Sequence, residues 1–400
     1  MTRKDFIRAC GLLGISLPFS PVINACKSSD DNDVSTNNTS ASSIEKVIIV
    51  GAGVAGMTAG YLLNQQGIDF QIIEASPNYG GRIKHTRSFS NFPISLGGEW
   101  IHVDRSILEE AVNDSSIDVS METQPYVSAD QYGYYDGNEL SISNLGASGV
   151  SEDLKFVGSS WLDFFETYIL PSVENKIIYN TPIQSIDYSG ASIIATSNGN
   201  NTFTADRIIV TVPLKMIQNN TINFNPELSS SRQNAISSLN VWSGFKAFFK
   251  FDTKFYPTFL EFEDSANSQG QRLYYDASYA QNTTDNILGL FSVGQQAEVY
   301  QALSETAQRD YILDELDTVF GNNMATDNYI DHVVQNWNDE PFIGGAYMTD
   351  QENWQLVRRI GRSVDDKLFF AGCAYTTGED WSSVHTAIRS AVRAIEELVS

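Results

Sequence analysis

Continuous runs of apolar residues mark the first strands of the fold. Lys46–Val50 is a β-branched run without polar alternation, which is typical of a strand buried on both faces of a parallel sheet. A helical stretch, Met57–Gln66, follows and ends at Gly67, and a second apolar run occupies Asp69–Ile73. This order predicts a strand, a helix and a second strand, which together make one βαβ unit.

The turn between the first strand and the helix is rich in glycine. It reads Gly-Ala-Gly-Val-Ala-Gly and contains Gly51, Gly53, Ala55 and Gly56, and Glu74 follows 18 residues after the last glycine. The first glycine permits a tight turn, the second lets backbone approach a pyrophosphate, and the third lets the helix pack on the strand. The acid at the end of the second strand can accept a hydrogen bond from a ribose hydroxyl. The segment therefore predicts a dinucleotide site.

The rest of the chain has a less regular pattern. Gly244–Phe251 predicts a strand with alternating faces, Lys367–Gly372 a buried strand, and Val384–Leu398 a helix with one apolar face. We expect residues 105–171 to be mainly helical and residues 241–361 to supply a sheet. The helices expected within these two segments are Ser106–Asn113, Phe156–Tyr168 and Gln301–Phe320.

Composition and charge limit the classes of protein and partner. The 400 residues are 42% hydrophobic and 12% aromatic, which indicates a globular protein and excludes disorder, collagen and coiled coil as the main state. Lys and Arg number 25 against 49 Asp and Glu, which gives a formal net charge of −24. Such a surface repels a polyanion, so nucleic acid is not expected as a partner, whereas a protonated amine is attracted.

The N-terminal sequence predicts an export signal. Three basic residues precede an apolar run, Ala9–Ile23, which two prolines interrupt, so the run is too short and broken to span a membrane as a stable helix. We therefore expect residues 1–25 to be a cleaved signal peptide. Thr2–Arg8 resembles a twin-arginine signal with Lys4 at the second arginine position, and ordinary secretion is the alternative.

Cys26 stands between this apolar run and a polar segment. The sequence Ile-Asn-Ala-Cys that ends there resembles a bacterial lipobox, which implies lipidation of Cys26; a buried free cysteine is the alternative. Fourteen of the 17 residues in Lys27–Ser43 are Ser, Thr, Asn or Asp, a composition that cannot fold, so residues 26–43 are expected to be a disordered tether. We expect an exported protein of the cell envelope, lipid-anchored to the outer membrane and exposed at the surface.

Cys373 is the one cysteine of the chain outside residues 1–26. A single thiol cannot build a disulfide framework or a cysteine metal site. The four histidines lack the paired spacing of metal ligands, so no metal site is expected.

Two glycines and an arginine come shortly after the predicted ribose-binding acid. Gly80, Gly81 and Arg82 lie where the guanidinium can pair with a pyrophosphate or with the edge of a flavin. This arrangement resembles the FAD-binding flavoproteins of the amine oxidase superfamily and not the nicotinamide dehydrogenases. The match extends through most of residues 46–400, and the chain is identified as a member of the flavin-containing amine oxidases, the monoamine and polyamine oxidases.

The resemblance implies the residues that line FAD. Leu96–His102 is similar to the family's second flavin-lining segment, and the Lys367–Gly372 strand with the helix after it would receive the ribityl chain and phosphate. Ala346 stands where monoamine oxidases carry the cysteine that binds flavin, so we expect non-covalent FAD. The implied cofactor-binding residues are Gly51, Gly53, Ala55, Gly56, Glu74, Gly81, Arg82, Gly98, Glu99, Trp100, Ile183, Trp337, Gly372, Cys373 and Val384.

The resemblance also implies three catalytic residues. Lys246 matches the lysine that is hydrogen-bonded through water to the flavin N5, Tyr347 matches the first wall of the aromatic cage for the amine, and His102 would orient the amine or shuttle a proton. Ser383 falls where the second cage aromatic is expected, which leaves the cage half built unless a nearby aromatic fills it. The candidates for that place are Tyr375 and Trp381.

The predicted fold is α/β. A doubly wound, Rossmann-like FAD domain is built from residues 44–104, 172–240 and 362–400, and a substrate domain with a mixed sheet and helices is built from residues 105–171 and 241–361. The expected function is oxidation of a primary or secondary amine to an imine, with oxygen as electron acceptor and hydrogen peroxide as product. The alternatives are a flavin desaturase or other superfamily oxidase acting on an apolar or cyclic substrate, and a non-catalytic FAD-binding surface lipoprotein.

Overall fold

The computed structural model describes residues 44–148, 153–263, 266–267, 269–348, 353–376 and 382–400. The predicted signal peptide, tether and lipidation site at Cys26 lie outside the described residues, and so does Trp381. Among the helices of the described ranges, none has the length and apolar composition needed to cross a membrane.

The described residues form 21 strands and 11 α-helices. The strands are β1 Lys46–Val50, β2 Asp69–Ile73, β3 His85–Thr86, β4 Ile94–Ser95, β5 Thr123–Pro125, β6 Gln131–Tyr135, β7 Leu140–Asn144, β8 Leu154–Phe156, β9 Ile177–Ile178, β10 Ile183–Asp187, β11 Ile193–Ser197, β12 Thr202–Ala205, β13 Arg207–Val210, β14 Asn223–Asn225, β15 Gly244–Phe251, β16 Phe259–Phe262, β17 Ala266–Asn267, β18 Gly270–Asp276, β19 Asn286–Gly294, β20 Tyr329–Asn336 and β21 Leu368–Phe370. The helices are α1 Val54–Gln65, α2 Ile107–Val112, α3 Leu145–Ser148, α4 Trp161–Tyr168, α5 Leu214–Gln218, α6 Ser230–Ser238, α7 Gln295–Gln301, α8 Glu305–Phe320, α9 Met324–Asn328, α10 Trp354–Gly361 and α11 Val384–Val399.

A five-stranded parallel sheet organises the nucleotide-binding part. Its order is β21-β13-β1-β2-β9, and every neighbouring pair runs parallel. β1 lies in the middle, with β13 on one side and β2 on the other, so neither of its edges is free. This position explains its continuous apolar sequence, because a central strand of a parallel sheet is covered on both faces.

Successive residues of β1 point into two separate cores. Val47 and Ile49 pack with α1 and α11, whereas Ile48 and Val50 pack with α5, α6 and α10. Helices therefore cover both faces of the sheet, as the doubly wound prediction requires. A four-stranded sheet of order β12-β11-β10-β14 packs against the second core.

An eight-stranded mixed sheet forms the rest of the fold. Its order is β20-β15-β19-β18-β16-β6-β7, with β17 paired to β18. Helix α8 covers it and contributes Ile312 and Leu316 to a core with Phe249 and Leu290. The sheet combines strands from residues 105–171 with strands from residues 241–361, so the two predicted substrate segments form one unit.

The prediction that residues 105–171 are mainly helical is wrong. Helices α2 and α4 lie where Ser106–Asn113 and Phe156–Tyr168 predicted them, but the described part of the segment between contains the four strands β5, β6, β7 and β8 and only the short helix α3. β6 pairs parallel with β16 and antiparallel with β7. Its sequence, Gln131–Tyr135, has no apolar run, and its pairing with β16, more than 100 residues away along the chain, is what makes it a strand.

Candidate active site

A cavity of about 1310 Å³ lies between the parallel sheet and the large mixed sheet. Residues at the carboxyl ends of β1, β2 and β13 line one side of it, which is where open α/β sheets bind ligands. Residues of β15, β16, β18 and β19 line the other side. One cavity therefore connects the predicted nucleotide site with the predicted substrate domain.

The glycine turn after β1 presents bare backbone to this cavity. Gly51 has a φ of +109°, a conformation that a side chain rarely adopts. Gly53 is the N-cap of α1, and nothing lies within 4 Å of the place where its Cβ would be. No side chain caps the helix, so the first amides and the positive end of the helix dipole are available to an anion such as a pyrophosphate.

Gly56 does not line the cavity, unlike Gly51, Gly53 and Ala55. A Cβ on Gly56 would lie 1.9 Å from the carbonyl oxygen of Gly51. Gly56 thus lies at the contact between α1 and the turn, where the absence of a side chain allows close packing, as its position in the motif predicts.

Glu74 follows β2 and lies at the cavity wall. Its two carboxylate oxygens accept hydrogen bonds from the backbone N–H groups of Ala52, at 2.6 Å, and Ser76, at 2.8 Å. These bonds fix the carboxylate beside the glycine turn, where each oxygen retains lone pairs for a ribose hydroxyl. Ile183 lines the same cavity and presents apolar surface.

Arg82 bridges two distant segments at the cavity. Its Nη1 donates to the carbonyl oxygen of Ala346, and its Nη2 donates to the Cys373 sulfur at 3.3 Å. Gly81 supports the same turn with a φ of +58° and a close approach to the Gly53 backbone. Cys373 is the only cysteine of the described residues, and it is free and buried.

A second helix N-terminus reaches the cavity at α11. Ser383 is its N-cap: the side chain accepts from the Thr386 backbone N–H, and the Thr386 hydroxyl accepts from the Ser383 backbone N–H. Val384, in the first turn, packs so closely on the backbone near Gly98 that a Cβ on that glycine would lie 2.8 Å from its methyl group. Gly372, which precedes the helix, has a φ of +146° and also lines the cavity.

The residues around the cavity fit FAD. The uncapped start of α1 and the open space at Gly53 suit a pyrophosphate, and the Glu74 carboxylate suits a ribose. Two indoles provide flat apolar surface for a ring system. Trp337 donates to the Leu96 carbonyl at 3.0 Å, and Trp100 donates to the Tyr126 hydroxyl at 3.1 Å, so both rings are held in place.

Lys246 is a buried lysine of an interior strand. It is 3% exposed, and β15 lies between β19 and β20, which excludes a surface lysine on an edge strand. The side chains of β15 alternate between two faces, as predicted: Phe249 lies in one core and Phe248 in another, so both faces are covered. The ammonium donates to the carbonyl oxygens of Ser95 and Gly97, at 2.8 and 3.3 Å, and to Glu99 Oε2 at 2.7 Å.

The ion pair with Glu99 decides the charge at this wall. Burial lowers the pKa of Lys246, and the Glu99 carboxylate opposes that effect by its charge and hydrogen bond. Burial by itself would raise the pKa of Glu99, but the adjacent Lys246 and Lys155 ammonium groups more than offset burial and lower it. Two other lysines of this region pair with their own carboxylates, Lys250 with Asp285 at 3.0 Å and Lys254 with Asp276 at 2.6 Å.

His102 lines the cavity beside a carboxylate. Its Nδ1 lies 3.0 Å from Asp153 Oδ2, and about a third of its side chain is exposed. Burial lowers the pKa of the imidazole, but the charge of Asp153 and its hydrogen bond outweigh burial and raise it. His385, on α11, is the opposite case, because burial and the neighbouring His102 lower its pKa to about 3.

Tyr347 has an aromatic neighbour that the sequence did not predict. Trp242 lies with its ring centroid 6.2 Å from that of Tyr347, and both line the cavity. A backbone hydrogen bond brings the two residues together, since the main-chain N–H of Trp242 donates to the Tyr347 carbonyl at 3.0 Å. Tyr375 does not complete the cage: its ring is buried against Phe370, and its hydroxyl donates to the Val212 carbonyl.

The sequence around this cavity matches known protein families. A sequence profile of the flavin containing amine oxidoreductases matches residues 165–399, which is more than half of the chain. The chain belongs to that family. A profile of the NAD(P)-binding Rossmann-like domain matches residues 49–112, which contain the glycine turn and Glu74. The protein is therefore a flavin-dependent amine oxidoreductase with FAD as its cofactor, as the sequence predicted.

Individual relatives agree with this assignment. Probable polyamine oxidase 4 of Arabidopsis thaliana is 23% identical over 434 residues, covering 87% of this chain and 86% of the relative. Lysine-specific histone demethylase 2 of Homo sapiens is 23% identical over 415 residues, covering 82% of this chain and 50% of the relative.

Two solved structures share the fold. Putrescine oxidase bound to putrescine superposes with a TM-score of 0.71 and 14% identity, covering 89% of this chain and 99% of the other. Cyclohexylamine oxidase from Brevibacterium oxydans superposes with a TM-score of 0.71 and 15% identity, covering 89% and 100%. These likenesses confirm the predicted α/β fold.

Several polar residues of this amine oxidoreductase were missed by sequence reasoning. Asp153 pairs with His102, Lys155 pairs with Glu99 at 3.5 Å, and Glu261 lines the cavity while accepting a hydrogen bond from Tyr132. No short sequence motif indicates these three residues. Each lies on or beside a strand, and its contacts come from other segments of the chain. The roles assigned to Lys246, His102, Tyr347 and the FAD-lining set stay predictions.

Replacing Gly53 with valine separates the cofactor site from the fold. The new side chain enters open space, so Gly53→Val should fold with nearly unchanged stability. It should contain less than about a tenth of the normal FAD, because the valine side chain occupies the space where the pyrophosphate would bind. Gly56→Val is the matched comparison, and it should destabilise the protein itself by several kcal/mol because of its clash with the Gly51 carbonyl. Urea unfolding and flavin absorbance measure the two effects. Normal flavin content in Gly53→Val would contradict this placement of the cofactor.

Proposed function

We propose that the protein oxidises a primary or secondary amine to an imine and passes the electrons to oxygen, which gives hydrogen peroxide. The observation that carries the proposal is the single cavity lined by the glycine turn, Lys246, His102 and the aromatic pair Tyr347 and Trp242. Among proteins of the same fold, putrescine oxidase and cyclohexylamine oxidase carry primary amines in their names, which supports that substrate class.

Aromatic and acidic residues of the cavity suit an amine. Tyr347 and Trp242 present ring faces, whose negative potential attracts an ammonium and whose apolar surface also accepts the neutral nitrogen. The carboxylates of Asp153 and Glu261 line the same cavity and favour entry of a cation. The net charge of −24 has the same sign and adds long-range attraction.

In this proposal His102 receives the proton that an ammonium must lose before oxidation. Its Nδ1 is engaged by Asp153 at 3.0 Å, which leaves Nε2 as the atom that takes up a proton. Since Asp153 raises the pKa of the imidazole, the protonated form is stabilised once it has formed. The resulting ion pair keeps the ring oriented while the amine is neutral.

FAD supplies the acceptor for the hydrogen and the electron pair that leave the carbon next to nitrogen. Lys246 contributes a fixed positive charge at the cavity wall. Of its three hydrogen bonds, the one to the Gly97 carbonyl is the longest at 3.3 Å, so that N–H is the one that can turn toward a water. A cation at this wall stabilises negative charge that develops on oxygen as it takes up electrons.

Anaerobic addition of amines to the purified holoenzyme tests the proposal. At least one primary or secondary amine should bleach the flavin band, and oxygen should then restore the band with one hydrogen peroxide per amine oxidised. The matched control is the corresponding alcohol, which has the same carbon skeleton without the nitrogen. Bleaching by an apolar cyclic substrate and by no amine would favour the desaturase alternative, and bleaching by neither would favour the non-catalytic one.

We also propose that FAD is bound without a covalent link. Ala346 offers only a methyl group, which packs against Gly244 at the cavity wall, and the Cys373 sulfur accepts a hydrogen bond from Arg82. Acid precipitation should therefore release the yellow colour into the supernatant. A yellow pellet would show a covalent bond, and precipitation of Cys373→Ser would then tell whether that thiol forms it.

Export and lipid anchoring remain a proposal that the sequence supports, through the apolar run, the lipobox-like Ile-Asn-Ala-Cys and the polar segment after it. Cys26→Ser should move the protein from the membrane fraction to the soluble fraction, because each buried acyl methylene contributes about 0.8 kcal/mol to membrane binding. Cys10→Ser, within the predicted signal peptide, is the matched control and should fractionate like the wild type. Membrane binding by Cys26→Ser would point to a retained signal helix, and a soluble wild type to simple secretion.

A further inference from the structure

Two lysines share one buried carboxylate at the wall of the cavity. Lys246 Nζ lies 2.7 Å from Glu99 Oε2, and Lys155 Nζ lies 3.5 Å from Glu99 Oε1. All three side chains are at most 6% exposed. Lys246 comes from β15, Lys155 from β8 and Glu99 from the flavin-lining segment, so three separate parts of the chain place one charge each at this point.

The groups around the cluster leave one positive charge in excess. The Tyr275 hydroxyl donates to Glu99 Oε2, and Lys155 also donates to the backbone carbonyl of Ala277. The carboxylate of Asp276 faces Lys155 but is paired with Lys254 at 2.6 Å. Among the described residues, Glu99 is thus the carboxylate in contact with both ammonium groups.

Burial of the second lysine carries a cost in free energy that the shared carboxylate offsets only in part. Taking an ammonium group out of water costs several kcal/mol, and a single carboxylate at good distance offsets that cost for one ion. A methionine at position 155 would avoid the cost of burying the charge, and would remove the donor to the Ala277 carbonyl. The second charge also acts on its neighbours, because it lies 3.5 Å from the carboxylate that Lys246 contacts.

We propose that Glu99 and Lys155 are positioning residues that act on Lys246 in opposite directions: the Glu99 carboxylate holds the Lys246 ammonium protonated and in place, and the Lys155 ammonium limits how strongly it does so. The inference rests on the proposed function, because it concerns the regulation of the cation that serves the flavin there. Glu99 and Lys155 together, and not the burial of Lys246 in β15 alone, then set the pH at which Lys246 loses its positive charge.

The signs of the two effects follow from charge and distance. Burial lowers the pKa of Lys246, the charge and hydrogen bond of Glu99 raise it, and the charge of Lys155 lowers it. Because the pKa in the folded protein is below that of a free lysine, the wall loses its positive charge at a lower pH than a solvated lysine would. Removal of Glu99 should move that pH further down, and removal of Lys155 should move it up.

Carbon NMR of the full-length holoenzyme labelled with [ε-¹³C]lysine measures this pH directly. The Lys246 resonance is the one that disappears in Lys246→Met, and its shift is followed from about pH 6 to about pH 11. In Glu99→Gln the titration midpoint should fall by about one pH unit or more, and in Lys155→Met it should rise. A purely structural part for either residue predicts no such pair of opposite shifts.

The reaction of reduced flavin with oxygen gives a second readout that needs no amine. Holoenzyme reduced with dithionite is mixed with oxygenated buffer, and the rate of return of the flavin band is recorded against pH. The alkaline fall of this rate should move to lower pH in Glu99→Gln and to higher pH in Lys155→Met. Because dithionite is the reductant, failure of every amine to bleach the flavin would sink the proposed function and leave this test standing.

Asp285→Asn is the matched control. It removes the carboxylate that pairs with Lys250 at 3.0 Å on the same strand, away from the cavity, and should leave the Lys246 midpoint unchanged. Midpoints that stay fixed, or that move in the same direction, in Glu99→Gln and Lys155→Met would overturn the inference. If Glu99→Gln does not fold, Lys155→Met decides alone: a higher midpoint supports the inference, and an unchanged or lower midpoint overturns it.

Discussion

The contact between helix α1 and the turn before it constrains the rest of the structure. At Gly56 the helix approaches the Gly51 carbonyl so closely that a single methyl group would lie 1.9 Å from the oxygen. This approach brings the first amides of α1 to the cavity. The parallel pairing of β1 with β2 brings Glu74 to the same turn, where it accepts from the Ala52 N–H at 2.6 Å. The helix terminus and the carboxylate then face the same space, as a dinucleotide requires.

A few long-range hydrogen bonds then fix the second wall of the cavity against the first. Trp337 donates to the Leu96 carbonyl, Lys246 donates to the Ser95 carbonyl, and Arg82 donates to the Ala346 carbonyl. Each joins the flavin-lining part of the nucleotide domain to a strand or loop of the substrate domain. Charged donors are used for two of the three, and such bonds are stronger and more directional than neutral ones. These three hydrogen bonds also help to position the aromatic pair Tyr347 and Trp242, because Ala346 is the neighbour of Tyr347 in the chain.

Sequence reasoning succeeded where local pattern and structure coincide. The run Lys46–Val50, the glycine turn and the α11 helix are contiguous in sequence, so their periodicity and glycine spacing sufficed. It failed where a strand is defined by its partners, as in Gln131–Tyr135, which pairs with a strand beyond residue 250. It also missed Lys155 and Trp242, because the burial of a charge or a ring depends on which distant segment covers it. The sequence left the place of Tyr375 open for the same reason, and the structure shows its ring in the core and not at the cavity.

The strand order of the parallel sheet bears on how the chain reaches its native state. β1 needs β13 as a neighbour, with Val47 opposite Arg207, and β13 in turn needs β21, with Ile208 opposite Leu368. Helix α11, which covers Val47 and Ile49, follows later still. Sheets closed by such distant contacts have high contact order and fold slowly, because loop-closure entropy is lost before the contacts that compensate it form. The glycine turn is thus synthesised well before β13, β21 and α11, the segments that complete the sheet and the cover around it.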